Sequence, residues 1–464
     1  MFHSKIYTQR RAILKKKLKT GLIFLLGNSE SPMNYTNNAY HFRQDSTFLY
    51  YFGLDQADLA AVIDLDENKE IIFGNDFTID DIVWMGPQPT IKNIASKCGV
   101  KQTGALSELK AVLAKAVKQG RKIHFVPQYR DENKFKMLQY LGISPMRINE
   151  YASMELIKTV AVQRYIKSKE EIEEIEKAIS TAYEMHVSAM RFTKPGMFER
   201  EIAGFIQGLA MSLGSGISFV PILSKHGETL HNPNYGNKLK DGDLIVNDSG
   251  AESLLHYASD ITRTYPVSGK FTPLQKEIYE IVLIAQLVAI DAIKPNVSFK
   301  TVHIKAATVI ADGLKAIGLM KGNTKDAVEA GAHALFFPHG LGHLLGLDVH
   351  DLESFGENNI GYDEKNKRST QFGLNYLRFA KPLVPGIVLT VEPGIYFIPQ
   401  LTDNWKSEKK LSEFINYDKV ETYRDFGGIR IEDDVVVTSI GSRILGKPIP
   451  KAVEDVEAAA SDKI

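Results

Sequence analysis

The sequence predicts two domains: an α/β domain over residues 1–160, and a second domain of mixed helices and strands over residues 161–464. Three observations carry this. The chain has 464 residues, and a single hydrophobic core rarely grows past about 250–300 residues. Its first part alternates short apolar runs with helical stretches, the pattern of an α/β unit. Beyond that, a long amphipathic helix opens a region in which strand-rich stretches alternate with helices.

The elements follow in order. GLIFLLG (21–27), AAVIDL (60–65) and KIHFVP (122–127) read as strands, and residues 108–119 as a helix between the last two. HFRQDSTFLYYFG (41–53), dense in aromatic and polar groups, reads as a buried strand with polar residues at its ends. Ser168, with Glu171 three residues later, forms a capping box that starts the long helix. Ile172, Ile175, Ala178, Ile179 and Ala182 make its packed face, and the interleaved Glu and Lys a solvated one. A helix over 198–213 follows, then a strand-rich stretch (243–266), helices over 273–293 and 299–317, a histidine-rich stretch and a strand-rich end.

Lys+Arg and Asp+Glu both number 56, so the formal net charge is zero. This argues against nucleic acid or an anionic membrane as the main partner, since such proteins carry a basic excess. Cys98 is the only cysteine. It excludes an internal disulfide, reads as a small core or surface residue, and fits a reducing compartment. The basic run RRAILKKKLK (10–19) precedes an apolar run too short and strand-like for a signal segment. No window approaches the ~20 apolar residues of a membrane span. The expectation is a soluble cytoplasmic protein.

The chemistry concentrates in a few places. FPHGLGHLLGLDVHD (337–351) holds His339, His343 and His350 out of 12 histidines in the chain. The first two have the spacing of a zinc-binding helix, but Gly340, Gly342 and Gly346 make a helix improbable. A glycine-rich extended segment instead lets backbone pass close to a site. Asp248 ends the apolar run of DGDLIVNDSG, and Asp260 lies twelve residues on, in HYASDITRTYPV. Two strands joined by a short turn set both on neighbouring strands. Glu392 ends the strand before EPGIYF, and Glu432 lies inside GGIRIEDDVVV. Alternation there sets Arg430, Glu432 and Asp434 on one face and Asp433 on the other. Carboxylates in buried strands are costly unless paired or metal-bound. Four carboxylates with one imidazole form a hard, oxygen-rich set that suits Mn²⁺ better than structural zinc. Their four negative charges match two dications, and two such ions ~3.5–4 Å apart can acidify a shared water.

HFRQDSTFLYYFG, ASDITRTYPVSGKF, HGLGHLLGLDVHD, TVEPGIYF and GGIRIEDD, in that order, resemble the motifs of the proline-specific metallopeptidases of the pita-bread fold, aminopeptidase P and prolidase. The resemblance covers nearly the whole chain. It implies an α/β N-terminal domain plus an α+β pita-bread (creatinase/aminopeptidase-like) catalytic domain. It also implies two divalent ions, usually Mn²⁺ and in some members Co²⁺, held by Asp248, Asp260, His343, Glu392 and Glu432, with Asp260 and Glu432 shared between them. By the same resemblance His231, His339 and His350 face the substrate and assist proton transfer, Glu392 shuttles a proton, and His339, Tyr396 and Arg430 line the proline pocket. His226 and His333 match nothing in the family and read as structural or surface residues. The two aspartates stand one residue further apart than in the family, which puts the extra residue in the turn around 251–256.

The implied reaction is hydrolysis of the bond between an N-terminal residue and proline, on peptides with proline at position 2. Arg378, in GLNYLRFAKPLVPG, matches an arginine that clamps the dipeptide carboxylate in prolidases, and the insertion NWKSEKKLSEFINYDKVETYRDF is prolidase-like. FRQDSTFLYYFG and LGLDVHD are shared with aminopeptidase P. The expectation is an Xaa-Pro aminopeptidase, with the Xaa-Pro dipeptidase as alternative. A creatinase-like or non-catalytic member is a remote third reading, opposed by the intact ligand set. A homodimer or homotetramer is implied by the same resemblance.

Overall fold

Strand β1 (Leu22–Leu26) is apolar and buried at all five positions, as expected of a strand covered on both faces. In the computed structural model, which describes residues 1–463, it joins β2 (Ala60–Asp64), β3 (Lys69–Phe73), β4 (Gln102–Gly104) and β5 (Ile123–His124) in a sheet of order β4-β3-β2-β1-β5. β1 pairs antiparallel with β2 and parallel with β5. Leu22, Phe24 and Leu26 pack on one face with Val62 and Phe73, against Leu109 and Leu113 of the helix Leu106–Lys118 and Met137 of the helix Asp131–Leu141. The α/β reading of the first part thus holds. Met1–Arg164, with the short segment Glu353–Gly356, forms one compact unit, and Tyr165–Leu352 with the chain from Glu357 onward forms the other.

One predicted strand is wrong. Ser46–Phe52, within HFRQDSTFLYYFG, is an α-helix. Asp45 caps it by accepting the Phe48 N–H at 2.8 Å. Gly53 ends it in the left-handed conformation at φ 64°, where a Cβ would also strike the Tyr7 hydroxyl. All seven helical residues are buried, so no polar stripe exists to reveal the helical period.

In the second unit the capping box forms as expected. Ser168 Oγ accepts the Glu171 N–H, Glu171 Oε2 accepts the Ser168 N–H, and the helix runs Lys169–Phe192. Its charged face is not wholly solvated: Glu171 and Glu174 are buried, and Glu171 Oε1 accepts the Tyr257 hydroxyl at 2.9 Å. The helices Glu199–Leu213, Pro273–Ala292 and Phe299–Ala316 stand where expected. The long insertion near the C-terminus (404–426) starts within the helix Pro399–Ser407 and contains the helix Tyr417–Glu421. Among the described residues no helix is long and apolar enough to cross a membrane.

The remaining strands are β6 (Ile222–Ser224), β7 (Leu244–Ser249), β8 (Ile261–Pro266), β9 (Val388–Val391), β10 (Gly394–Tyr396), β11 (Gly428–Arg430), β12 (Asp433–Val437) and β13 (Ser442–Ile444). They form three sheets, ordered β6-β7-β8, β13-β12-β9 and β10-β11. The β9–β12 ladder pairs Val391 with Asp433, and the β10–β11 ladder pairs Gly394 with Arg430. These two ladders keep one register across a gap, and in that gap Glu392 and Glu432 stand opposite each other. Pro393 has no N–H to continue the ladder. The Glu392 N–H turns to the Leu341 carbonyl and the Glu432 N–H to the Thr262 carbonyl. Glu432 therefore lies in a break between two strands, not inside one as its apolar surroundings suggested.

Candidate metal and substrate site

The site is assembled by β8 and the residue that precedes it, Asp260. Asp260, Thr262 and Thr264 share one face by strand alternation, and each ties down the segment 430–434. The Asp260 N–H donates to Asp434 Oδ2 at 3.0 Å, the Thr262 hydroxyl to Glu432 Oε2 at 2.7 Å, and the Thr264 hydroxyl to the Arg430 carbonyl at 2.9 Å. Each step of two along β8 matches a step of two backward along that segment. This brings Glu432 beside Asp260, while β7 pairs Asp248 with Thr262. Asp433 faces the other way, to Arg263 Nη2 at 2.6 Å and Lys451 Nζ at 2.6 Å. The loop between Asp248 and Asp260 holds His256 at φ 64°, and Asp248 keeps its place in the ladder.

The histidine stretch is not helical. The His343 N–H donates to Thr390 Oγ1 at 3.1 Å and its carbonyl accepts the Thr390 N–H at 2.9 Å. The backbones approach so closely here that a Cβ on Gly342 would lie 2.1 Å from the Thr390 carbonyl oxygen. His343 Nδ1 donates to the Leu344 carbonyl at 3.1 Å. That sets the tautomer and turns the Nε2 lone pair toward Asp260 Oδ2 at 3.3 Å and Glu392 Oε1 at 3.8 Å.

Asp260, His343 and Glu432 each present one ligand atom within 4.8 Å of the others. Asp248 Oδ1, Asp260 Oδ1 and Glu432 Oε1 are buried with no hydrogen-bond partner. Burial, reinforced by the neighbouring carboxylates, holds the proton affinities of Asp260 and Glu432 far above the usual carboxylate range. Glu392 is pushed up to about 8 by burial, with Asp260 and Asp248 adding to the effect against the pull of Arg430. Arg430 Nη2 compensates Asp248 Oδ2 at 2.5 Å. Orphan oxygens and excess buried negative charge around one oriented imidazole fit hard divalent ions.

These groups open into a cavity of about 510 Å³, a volume suited to a small ligand. Its wall includes all five expected ligands, with His231, His339, His350, Arg378 and Arg430. His231 sits on an exposed loop at the rim. His350 Nδ1 lies 2.9 Å from Arg378 Nη1. One placement differs from the expectation. Tyr396 is wholly buried and stands behind the wall, its hydroxyl accepting from Arg430 Nη1 at 3.0 Å and donating to His339 Nε2 at 2.9 Å. His339 donates from Nδ1 to the Gly340 carbonyl at 2.8 Å. His339 stands in the cavity wall with both ring nitrogens engaged, and its pKa is pushed down to about 3 chiefly by burial. His226 is a surface residue beside Glu228, and His333 is buried beside His303 with ring centroids 6.3 Å apart.

Sequence reasoning missed Thr262, Thr264 and Asp434 as supports. The alternation applied to Arg430, Glu432 and Asp434 could have found them, since Asp260, Thr262 and Thr264 have the same period. It also missed Phe219, Glu357, Arg368 and Phe372 in the cavity wall; Phe219, Arg368 and Phe372 stand on irregular segments and Glu357 opens a four-residue helix (Glu357–Ile360), too short for a period to single it out.

Residues 173–439 match the model of metallopeptidase family M24, and residues 7–124 match the aminopeptidase P N-terminal domain. The chain is 32% identical over 457 residues to the Xaa-Pro dipeptidase of Homo sapiens, covering 95% of this chain and 89% of that protein. It is 32% identical over 469 residues to the probable Xaa-Pro aminopeptidase pepP of Metarhizium robertsii, covering 99% and 97%. Among solved structures it is similar to proline aminopeptidase P II from Yersinia pestis, with a TM-score of 0.82, 27% identity, and coverage of 99% of this chain and 100% of that one. Zinc-substituted E. coli aminopeptidase P in complex with product matches with a TM-score of 0.81 at 28% identity, covering 99% and 98%. A ligand-ready acidic cavity and a family match that spans it lead to one conclusion: the chain belongs to metallopeptidase family M24 and carries an aminopeptidase P N-terminal domain ahead of its catalytic one.

Proposed function

We propose that this protein is a di-metal exopeptidase that hydrolyses the bond between an N-terminal residue and proline. The observation that carries this is the set of orphan oxygens on Asp248, Asp260 and Glu432 beside the oriented His343 imidazole, at the wall of a substrate-sized cavity. Asp248, Asp260, His343, Glu392 and Glu432 are the proposed ligands of two ions, Mn²⁺ first and Co²⁺ or another dication second. When bound, such ions supply Lewis acidity to a carbonyl and an acidified water.

The chain's own residues do the rest. Glu392 has a partly buried carboxyl with raised proton affinity, suited to take the proton of the attacking water and pass it to the departing proline nitrogen. With a dication held beside it, Glu392 would be ionised and so free to accept that proton. His231 and His350 line the cavity and are suited to donate to the carbonyl oxygen as it gains charge. The His339 ring, fixed from behind by Tyr396 and Arg430, gives the proline ring a flat face to pack on. Relatives named for both Xaa-Pro activities support the proline preference. A cytoplasmic homodimer or homotetramer completes the reading.

The Xaa-Pro dipeptidase is the second reading, favoured by one observation: Arg378 is a cation in the cavity wall rather than on the outer surface. Comparing kcat/KM on Xaa-Pro and Xaa-Pro-Yaa peptides tests both. The aminopeptidase reading expects the longer peptide to be preferred. A preference for the dipeptide replaces it with the second reading, and cleavage of neither overturns both.

A further inference from the structure

Arg378 does more than stand in the wall. Its Nη1 lies 2.9 Å from Nδ1 of His350, and both residues line the cavity. A guanidinium has donors and no acceptor. The contact therefore requires the Nδ1 lone pair, which puts the ring proton of His350 on Nε2. The same ring packs edge-on against the proposed ligand His343, with centroids 4.3 Å apart and planes at 67°, so its orientation is fixed on two sides. Arg378 is itself held. Glu357 Oε1 lies 3.9 Å from Arg378 Nη1, and Glu357 is in turn paired with Arg368. Arg368 is anchored by Asn358 Oδ1 at 3.0 Å and the Asn375 carbonyl at 2.8 Å.

We infer that Arg378 is a positioning residue for His350: it selects the Nε2–H tautomer, so that this imidazole enters the reaction as a hydrogen-bond donor, whatever the length of the peptide bound. The inference rests on the proposed peptidase reading and goes beyond it, because a clamp for a dipeptide carboxylate and a positioner of His350 have different kinetic consequences. A clamp acts only on substrates that end at proline, and acts on KM. A positioner acts on kcat for every substrate.

The metal-loaded enzyme and its Arg378→Ala, Arg378→Lys and His350→Ala variants, with the Arg378→Ala/His350→Ala double variant, separate the two on Xaa-Pro and Xaa-Pro-Yaa peptides. Arg378→Ala should lower kcat about tenfold or more on both, within the range a positioned donor contributes. In the His350→Ala background it should cost less than about twofold, because the residue it positions is gone. Arg378→Lys, which can still donate to Nδ1, should recover part of the kcat. An effect confined to KM of the dipeptide, or a kcat loss that multiplies with that of His350→Ala, overturns the inference. Nitrogen-15 NMR of the histidine rings in zinc-loaded protein reads the tautomer without any turnover. His350 should carry its proton on Nε2 in the parent and lose that signature in Arg378→Ala. A proton on Nδ1 in the parent overturns the inference even if the substrate assignment itself has failed.

Discussion

Asp260→Asn and Glu432→Gln should each lower kcat/KM on an Xaa-Pro-Yaa peptide by about a thousandfold or more, and each should reduce the bound metal. A drop of that size corresponds to about 4 kcal/mol of lost transition-state stabilisation, the scale expected if the residue removed would hold a catalytic metal ion. The two positions sit at the centre of the cluster, each with an orphan buried oxygen. The same substitutions should leave the metal-free protein as stable as the parent or more so. Each replaces a buried carboxyl, which burial disfavours as an ion, with an amide that needs no counter-charge. Steady-state kinetics, elemental analysis and a melting curve in chelator measure all three. Near-parental activity in either variant removes its residue from the site.

Asp433→Ala should be the most destabilising change near the site, although Asp433 faces away from it. The substitution strands Arg263, whose side chain is wholly buried, and leaves Lys451 without its carboxylate. Removing one partner of a buried pair costs about 3–5 kcal/mol, or a fall of roughly 6–20 °C in the melting midpoint for a unit of this size. Activity should fall as well, because Arg263 Nη1 also holds the Glu432 carbonyl at 2.6 Å. Acid gives an independent arm. Burial alone raises the proton affinity of Asp433, but Arg263 and Lys451 outweigh it and hold the pKa down to about 2, against an ordinary 3.8. A depressed carboxyl stabilises the fold fully above the unfolded value and loses that contribution as pH falls from about 4 through 2. The contribution is on the order of 2 kcal/mol. The parent should therefore lose stability over that window, and Asp433→Asn should lose less. Equal acid profiles would remove Asp433 from the account.

Much of this was legible in the sequence because the physics was local. β1 is apolar throughout and could only be a covered strand. The capping box at Ser168 and Glu171 places a helix start to the residue, and three glycines around His343 exclude a zinc helix before any coordinates. The readings that failed depended on packing. Ser46–Phe52 is buried on every side, so its sequence shows no helical period, and the cap at Asp45 looked like a polar strand end. Glu432 looked like a strand residue because Ile431 and the valines flank it; the break comes from Pro393, on the opposite strand. Glu171 and Glu174 read as solvated because a charge pattern does not reveal which neighbour covers it. Tyr396 was assigned by motif to the substrate pocket, but the hydrogen bond to His339 that goes with its place behind the wall joins residues 57 positions apart.

The central claim is that the orphan oxygens of Asp248, Asp260 and Glu432 exist to hold ions with His343 and Glu392. Stripping the purified protein with chelator and titrating Mn²⁺ back while following Xaa-Pro-Yaa cleavage tests it most directly. The expected result is loss of activity on stripping and full recovery at two ions bound per chain. Full activity in protein shown by elemental analysis to be free of metal would contradict it.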